Sequence, residues 1–350
     1  MGFSRAPIVV IGGGISGIMA ARTLIDSGEE NVLLLERSRD LGGRMTTREF
    51  AGAKFDHGSQ YFTAQTELFK KVVANWKESG WIEEFSKASN SFIGSGGMTA
   101  LIRQLADPID FCLRVRVTKV QQGRGRWILR WVSEGKPYVP QTYKEVASDE
   151  VYDPGGGASI NARAIIMTTP VPQTMFLLEQ GNNELDSSVK SLLATIEYEP
   201  CLAIMFTIEG DHLLSSGYAG GDLPDPLYSI VDNKKKGISP IPSLTIQASE
   251  SWSKQNFWNT SDELAAELTK AAEPWIGKVN IEEKQVKRWT FSRAKQKIKQ
   301  PFLDAGFEYP LVFAGDAFGQ IDQSGQLGGV ETAVLSGIEA ANYLLEQLKN

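Results

Sequence analysis

Pro7-Ile8-Val9-Val10-Ile11-Gly12-Gly13-Gly14-Ile15-Ser16-Gly17 is the stretch that decides the fold. Pro7 to Ile11 is a short, apolar, β-branched run and reads as a buried parallel strand. Glycines follow at once, and Ile15 to Ser27 then carries the Ala, Ile and Leu of a helix that Gly28 ends. Asn31 to Glu36 is a second apolar strand. Strand, helix and strand in that order predict an α/β domain built on a parallel sheet. Gly12, Gly14 and Gly17 stand at the spacing of a dinucleotide-binding turn. Gly12 serves the tight turn, Gly14 the approach of a pyrophosphate, and Gly17 the packing of helix on strand. Ile15 and Ser16 open the helix, whose free N–H groups and dipole favour an anion. Glu36 comes 19 residues after Gly17, placed to accept hydrogen bonds from a ribose diol, with Arg37 beside it.

Outward from this start, Glu67 to Glu84 and Met98 to Ala106 read as helices. Phe111 to Val132 alternates like an antiparallel hairpin around Gly123-Arg124-Gly125. Residues 134–161 are polar and rich in Pro and Gly, a surface excursion with one expected strand, Tyr143 to Val146. Ala164 to Thr168 is a buried strand. Residues 199–249 alternate strand-like runs (CLAIMFTI, LYSIV, SLTIQA) with turns. Thr260 and Ser261 cap an amphipathic helix to Trp275, Leu311 to Ala314 is a last strand, and Glu331 to Leu348 a last helix.

At 350 residues two domains are expected. The formal net charge of -6 leaves no electrostatic footprint for nucleic acid, and Lys234-Lys235-Lys236 reads as a solvated turn. Cys112 and Cys201 are the only cysteines and His57 and His212 the only histidines, which excludes a metal cluster or disulfide framework and disfavours a Ser-His-Asp triad. Both thiols sit in apolar stretches and read as core residues of a reducing compartment. No apolar run approaches the ~20 residues of a membrane span, so no membrane partner is expected. The first strand begins at Ile8, leaving no room for a signal peptide, and the expected home is the cytoplasm or an organelle stroma.

The choice of dinucleotide rests on two further segments. Leu41-Gly42-Gly43-Arg44-Met45-Thr46-Thr47 and Phe55-Asp56-His57-Gly58-Ser59-Gln60-Tyr61-Phe62 resemble the second signature of the amine-oxidase-like flavoproteins. Phe313-Ala314-Gly315-Asp316-Ala317-Phe318, followed by Gly325 to Glu331 (GQLGGVE), resembles their C-terminal signature. The resemblance implies FAD, with Gly43 and Arg44 at its phosphates, His57, Gly58, Ser59 and Gln60 near the flavin and Asp316 at the ribityl or phosphate end; for His57 a hydrogen-bonded structural role is the preferred alternative. It places the helix opened by Gly328, Gly329 and Val330 against the flavin's N1–C2=O edge. Val117 falls where the family's crossover strand passes the adenine; a plain core position is the alternative. Covalent members use a Cys near the C-terminal signature, and no Cys follows Cys201, so non-covalent FAD is expected.

Within that superfamily the chain resembles the renalase-like proteins, through FDHGSQYF, Gly94 to Leu101 (GSGGMTAL), Tyr198-Glu199-Pro200-Cys201, Ala248 to Ser253 (ASESWS), and Arg288-Trp289 with Phe291. This implies oxidation of misreduced 2- or 6-dihydro isomers of NAD(P), a dihydronicotinamide-like substrate, with O2 as acceptor. Tyr61, Gln247 and Trp289 are the expected lining residues, although aromatic rings and a strand Gln also serve as plain core and caps. Where a His is expected before Ala248-Ser249, this chain has Gln247. The implied fold is a discontinuous Rossmann-like FAD domain (1–57, 95–175 and 292–350) with an α+β substrate domain on a mostly antiparallel sheet (58–94 and 176–291). An amine oxidase, a desaturase of the same superfamily and a non-catalytic FAD-binding scaffold are the rivals. The first generally carries a flavin-side Lys, which Cys201 to Ile204 lacks.

Overall fold

A computed structural model of the protein describes residues 6–86, 90–140, 158–319 and 329–349. The chain divides into two compact units, one of residues 1–43, 102–197 and 296–350, the other of residues 44–101 and 198–295. By packing, residues 44–57, 95–101 and 292–295 lie in the second unit and 176–197 in the first.

The first unit is built on an eight-stranded sheet in the order β10-β9-β8-β2-β1-β11-β18-β17. Its middle is parallel: β1 (Ile8–Ile11) lies between β2 (Val32–Leu35) and β11 (Ala164–Met167), with β8 (Asp110–Gly123) beyond β2 and β18 (Leu311–Phe313) beyond β11. All residues of β1, β2, β11 and β18 are buried, as a sheet covered on both faces requires. Antiparallel strands β9 (Arg126–Tyr138), β10 (Ala158–Ala162) and β17 (Leu303–Asp304) complete the edges. The helices Ile15–Asp26 and Gly329–Gln347 meet almost backbone to backbone, since a methyl group on Gly337 would lie 2.2 Å from the Ser16 carbonyl oxygen.

The second unit holds a five-stranded antiparallel sheet in the order β13-β14-β15-β12-β16. Its strands are β12 (Tyr198–Glu209), β13 (Tyr218–Gly220), β14 (Leu227–Asp232), β15 (Ser243–Ala248) and β16 (Asn280–Ala294). Period-two alternation gives this sheet two unlike faces. Leu202, Ile204, Phe206, Ile230, Leu244 and Ile246 fill one of them and bury Trp252, Leu264, Leu268 and Ile276 of the helices Glu250–Asn256 and Ser261–Ile276. Each such fully buried aliphatic contributes about 1.5–3 kcal/mol. The other face carries Ser229, Thr245, Gln247, Gln285, Lys287 and Trp289. The hairpin β3 (Thr47–Phe50) and β4 (Ala53–Asp56), and the small sheet of β5 (Phe62–Thr63), β6 (Ile82–Ser86) and β7 (Ser91–Gly94), complete the unit.

The expected two-domain fold is therefore present, with corrections of detail. The helix expected to Glu84 stops at Glu78, because Ser79 and Gly80 turn the chain and Ile82–Ser86 pairs as β6. The excursion begins and ends as strands β9 and β10, and the strand expected at 143–146 lies outside the described residues. The 15-residue strand β16 went unread in the sequence. It is an edge strand laden with charge, which hides its alternation and protects the edge. Lys234-Lys235-Lys236 does form a turn, but Lys236 is buried and ion-paired with Asp56, which overturns the solvated reading.

Candidate active site

The glycine turn of the first unit has the geometry its spacing implies. A methyl group on Gly17 would fall 2.0 Å from the Gly12 carbonyl oxygen, so only glycine lets the helix sit this close to β1. Among the described residues nothing lies within 4 Å of the corresponding position on Gly14, so they leave the helix N-terminus open there. Ser16 Oγ is buried and has no hydrogen-bond partner among the described residues. The buried Glu36 carboxylate accepts the Gly13 and Ser38 N–H groups, each at 2.7 Å, and keeps lone pairs for further donors. Gly42 donates to the Gly13 carbonyl at 2.7 Å and bridges to Gly14, and Gly43 follows beside it, bringing the second glycine segment onto the first. Asp316 is buried in the turn after β18, where the Gly315 N–H is held by Ser336 Oγ at 2.8 Å. Ile15 is buried at the helix start, Val117 is buried on β8, and Arg37 is exposed. Gly329 and Val330 open the last helix, and Gly328 lies outside the described residues. Open backbone N–H groups, a vacant approach over Gly14 and an acceptor at Glu36 fit the pyrophosphate and ribose of a dinucleotide.

In the second unit, residues 56–60 are fastened to the polar face of the five-stranded sheet by three consecutive carbonyls. Thr245 Oγ1 donates to Asp56 O at 3.2 Å, Trp289 Nε1 to His57 O at 2.9 Å, and Gln247 Nε2 to Gly58 O at 2.7 Å. Gln60 Nε2 also donates to Asp56 O at 2.7 Å, and the Ser59 N–H to Arg44 O at 2.9 Å. Gln247 spends the other end of its amide on Ser229 Oγ at 2.9 Å. Gln247 and Trp289, expected as lining residues, thus brace backbone. Arg44, expected at the pyrophosphate, donates one guanidinium N–H to Ser292 O at 3.1 Å. Among the described residues, His57 Nδ1 and Gln60 Oε1 are buried with no partner. Such orphans suit a polar ligand.

Burial and nearby cations keep the His57 imidazole neutral. The His57 pKa is pushed down to about 4, first by burial and then by Lys287 and Arg48, with Asp56 opposing. Lys287 sits 4.4 Å from the centre of the Trp289 ring, which stacks on His57 at 5.4 Å. Tyr61 stacks on Phe85 and meets Tyr218 edge-on, the two hydroxyls 3.5 Å apart. Burial and the neighbouring Tyr61 raise the Tyr218 pKa, so its phenol stays protonated. Tyr218, Lys287, Thr245, Asp56 and Lys236 were missed in the sequence. Only the adjacency of Asp56 to His57, and of Thr245 to Gln247, could have flagged any of them.

Comparison with known proteins agrees with this geometry. Residues 10–76 match the family described as NAD(P)-binding Rossmann-like domain, and residues 81–345 match the flavin containing amine oxidoreductases. Among curated relatives, Polyamine oxidase 6 of Oryza sativa subsp. japonica is 37% identical over 102 residues, 28% of this chain and 21% of that protein. Polyamine oxidase 7 of the same organism is 28% identical over 102 residues, 28% of this chain and 22% of that protein. Carotenoid 3,4-desaturase of Haloarcula japonica is 44% identical over 71 residues, 20% of this chain and 14% of that protein. The matched stretches therefore span less than a quarter of each relative's length. A crystal structure named as a protoporphyrinogen oxidase, from Exiguobacterium sp. 255-15, superimposes with a TM-score of 0.64 over 99% of this chain and 100% of that one. At 13% identity that likeness shows the fold alone. Because the model of the flavin containing amine oxidoreductases covers residues 81–345, more than half of the chain, the chain belongs to that family.

Proposed function

We propose that this enzyme oxidises dihydronicotinamides whose hydride sits at ring carbon 2 or 6, returning the pyridinium form, in the manner of the renalase-like proteins. The observation that carries the reading is the setting of His57, buried and stacked on Trp289 at 5.4 Å with Lys287 over that ring, which pushes its pKa down to about 4. A dihydropyridine is already a hydride donor and asks the protein only for orientation. An amine arrives as an ammonium ion and needs a base, which so weak an imidazole does not supply. The chemistry supplied by FAD bound at these residues would be hydride acceptance, with O2 and a solvent proton completing the turnover as hydrogen peroxide.

In this reading the helix start at Gly14 to Gly17, with Gly43 and Arg44, holds the pyrophosphate, and Glu36 holds the ribose. His57 to Gln60, Asp316 and Gly328 to Val330 serve the flavin end, and Val117 the adenine. Tyr61 flanks the substrate ring, while Gln247 and Trp289 hold the His57–Gly58 backbone in place. The proposed division of labour is an FAD domain of 1–57, 95–175 and 292–350 and a substrate domain of 58–94 and 176–291.

Amine oxidation is the second reading. The polyamine oxidase relatives favour it, as does Lys287, which lies opposite Ala203 in the sheet beside the clamped segment. Anaerobic stopped-flow mixing of the holoenzyme separates the two. Isomeric dihydropyridines bleaching the flavin faster than 4-dihydro NADH or a polyamine is the expected result. Faster bleaching by the amine replaces the first reading with the second.

A further inference from the structure

Asp56 and Lys236 form an ion pair with no exposure to solvent. Lys236 Nζ lies 2.7 Å from Asp56 Oδ2, and both side chains are 0% exposed. The other oxygen of Asp56 accepts Thr47 Oγ1 at 2.6 Å and the Met98 N–H at 3.1 Å. The Asp56 main-chain carbonyl takes Gln60 and Thr245. One residue therefore joins β3, the start of the helix Met98–Ala106, the 232–239 turn, β15 and the clamped segment. Lys236 is itself placed by a rigid turn: its N–H bonds Asp232 O, and the Lys234 and Lys235 N–H groups bond Asp232 Oδ1.

A pair of this kind is a poor stabiliser. Desolvating two ions offsets most of their attraction, and neutral, well-packed replacements often fold as stably. Burial lowers the Lys236 pKa against the pull of Asp56. Geometric definition is what such a pair does supply: a buried carboxylate with three directed donors has one orientation.

We propose that the Lys236–Asp56 ion pair is the positioning device of the active site, fixing the backbone of His57 to Gln60 where it meets the cofactor. Lys236 is a positioning residue and touches no reacting atom. The proposal rests on the reading above that His57 to Gln60 serves the flavin.

The test compares FAD-loaded wild type with Lys236→Met, the double variant Asp56→Asn/Lys236→Met, Lys236→Arg and His57→Gln. Thermal unfolding, the visible flavin spectrum and the flavin midpoint potential are measured on each. Lys236→Met alone leaves a buried charge unpaired and unfolds at a lower temperature. The double variant regains thermal stability yet keeps an altered flavin spectrum, with a tenfold change in the oxidised-to-reduced equilibrium, about 30 mV for a two-electron couple. Should the double variant not fold, Lys236→Arg answers instead: charge is preserved, the point contact is not, and the flavin signature moves in the same direction. A folded double variant or Lys236→Arg with wild-type spectrum and potential overturns the proposal. If His57→Gln also leaves the flavin unmoved, the failure lies in the underlying reading. If His57→Gln moves it and the ion-pair variants do not, only the positioning role falls.

Discussion

Trp289 holds His57 twice: its indole N–H donates to the His57 carbonyl at 2.9 Å, and its ring lies 19° from parallel to the imidazole at 5.4 Å. The hydrogen bond and the stack are separable by substitution. Trp289→Phe keeps a ring against His57 and removes the donor, so it is expected to cost about 1 kcal/mol. Trp289→Leu removes both and costs about 1 kcal/mol more, the worth of an aromatic pair beyond its area. Urea midpoints of the two variants check the ordering. Equal losses would mean that the stack contributes nothing.

His57 predicts a pH dependence whose sign follows from its environment. Folded, the imidazole titrates at about 4; unfolded, at its ordinary 6.5. Between those values the unfolded chain binds the extra proton, so stability rises with pH through this window. The stability present above pH 6.5 is lost as pH falls towards 4, by about 3 kcal/mol in all. His57→Gln removes this contribution. Its unfolding free energy should therefore fall less than that of the wild type between pH 7 and pH 4. Parallel curves for the two proteins would contradict the assignment.

Gly14 and Gly17 predict opposite outcomes three residues apart. The methyl of Gly17→Ala meets the Gly12 carbonyl, and neither backbone can yield without parting helix from strand. A loss of about 3 kcal/mol is expected. Gly14→Val places its side chain in open space, so stability changes by about 1 kcal/mol or less, that of a weakened helix cap. The added side chain occupies the pyrophosphate's approach, and FAD retention is lost. Calorimetry and the 280-to-450 nm absorbance ratio (about the usual flavin band) read both variants. A yellow, fully loaded Gly14→Val would remove this turn from the cofactor site.

FAD should leave the protein on acid precipitation, with all colour in the supernatant. Cys112 and Cys201 are both buried, and burial pushes their pKa values up to about 12 and about 11. Thiols so far from the thiolate form are poor nucleophiles. Colour retained in the pellet would point to another attachment, with His57 and Tyr61 the first residues to replace.

The contrast between Ile8–Ile11 and Lys236 explains what the sequence makes legible. β1, its glycine turn and its helix are encoded within 20 residues by periodicity and turn chemistry, so they can be read locally. The burial of Lys236 is decided by Asp56, 180 residues away, and nothing in a run of three lysines says which one turns inward. β16 was unread for a similar reason. Gln285, Lys287 and Trp289 make sense as one face only once β12 aligns them with Thr245 and Gln247 on its other side. Tyr61, Gln247 and Trp289 could be picked out by resemblance, but their contacts could not: two bond a backbone carbonyl and one joins an aromatic cluster.

That division of roles gives the last prediction. Gln247 uses both ends of its amide on the protein, Nε2 on Gly58 O and Oε1 on Ser229 Oγ, and is 7% exposed. Replacing it by Leu leaves a hydroxyl and a carbonyl unpaired, at a cost of about 1–3 kcal/mol. The clamped segment loosens, so FAD affinity and flavin reduction fall together for every substrate. Tyr61 is half-buried, and among the described residues its hydroxyl meets only that of Tyr218, at the outer limit of a hydrogen bond. Tyr61→Leu should therefore leave folding and FAD content nearly unchanged. It should instead alter the ratio of reduction rates between isomeric dihydropyridines and 4-dihydro NADH, because a flat ring loses its wall. Rate ratios decide the matter, since a general loosening cancels from them and a lost substrate contact does not. A changed ratio in Gln247→Leu with an unchanged one in Tyr61→Leu would exchange the two roles, placing the amide against the substrate and the phenol in the core.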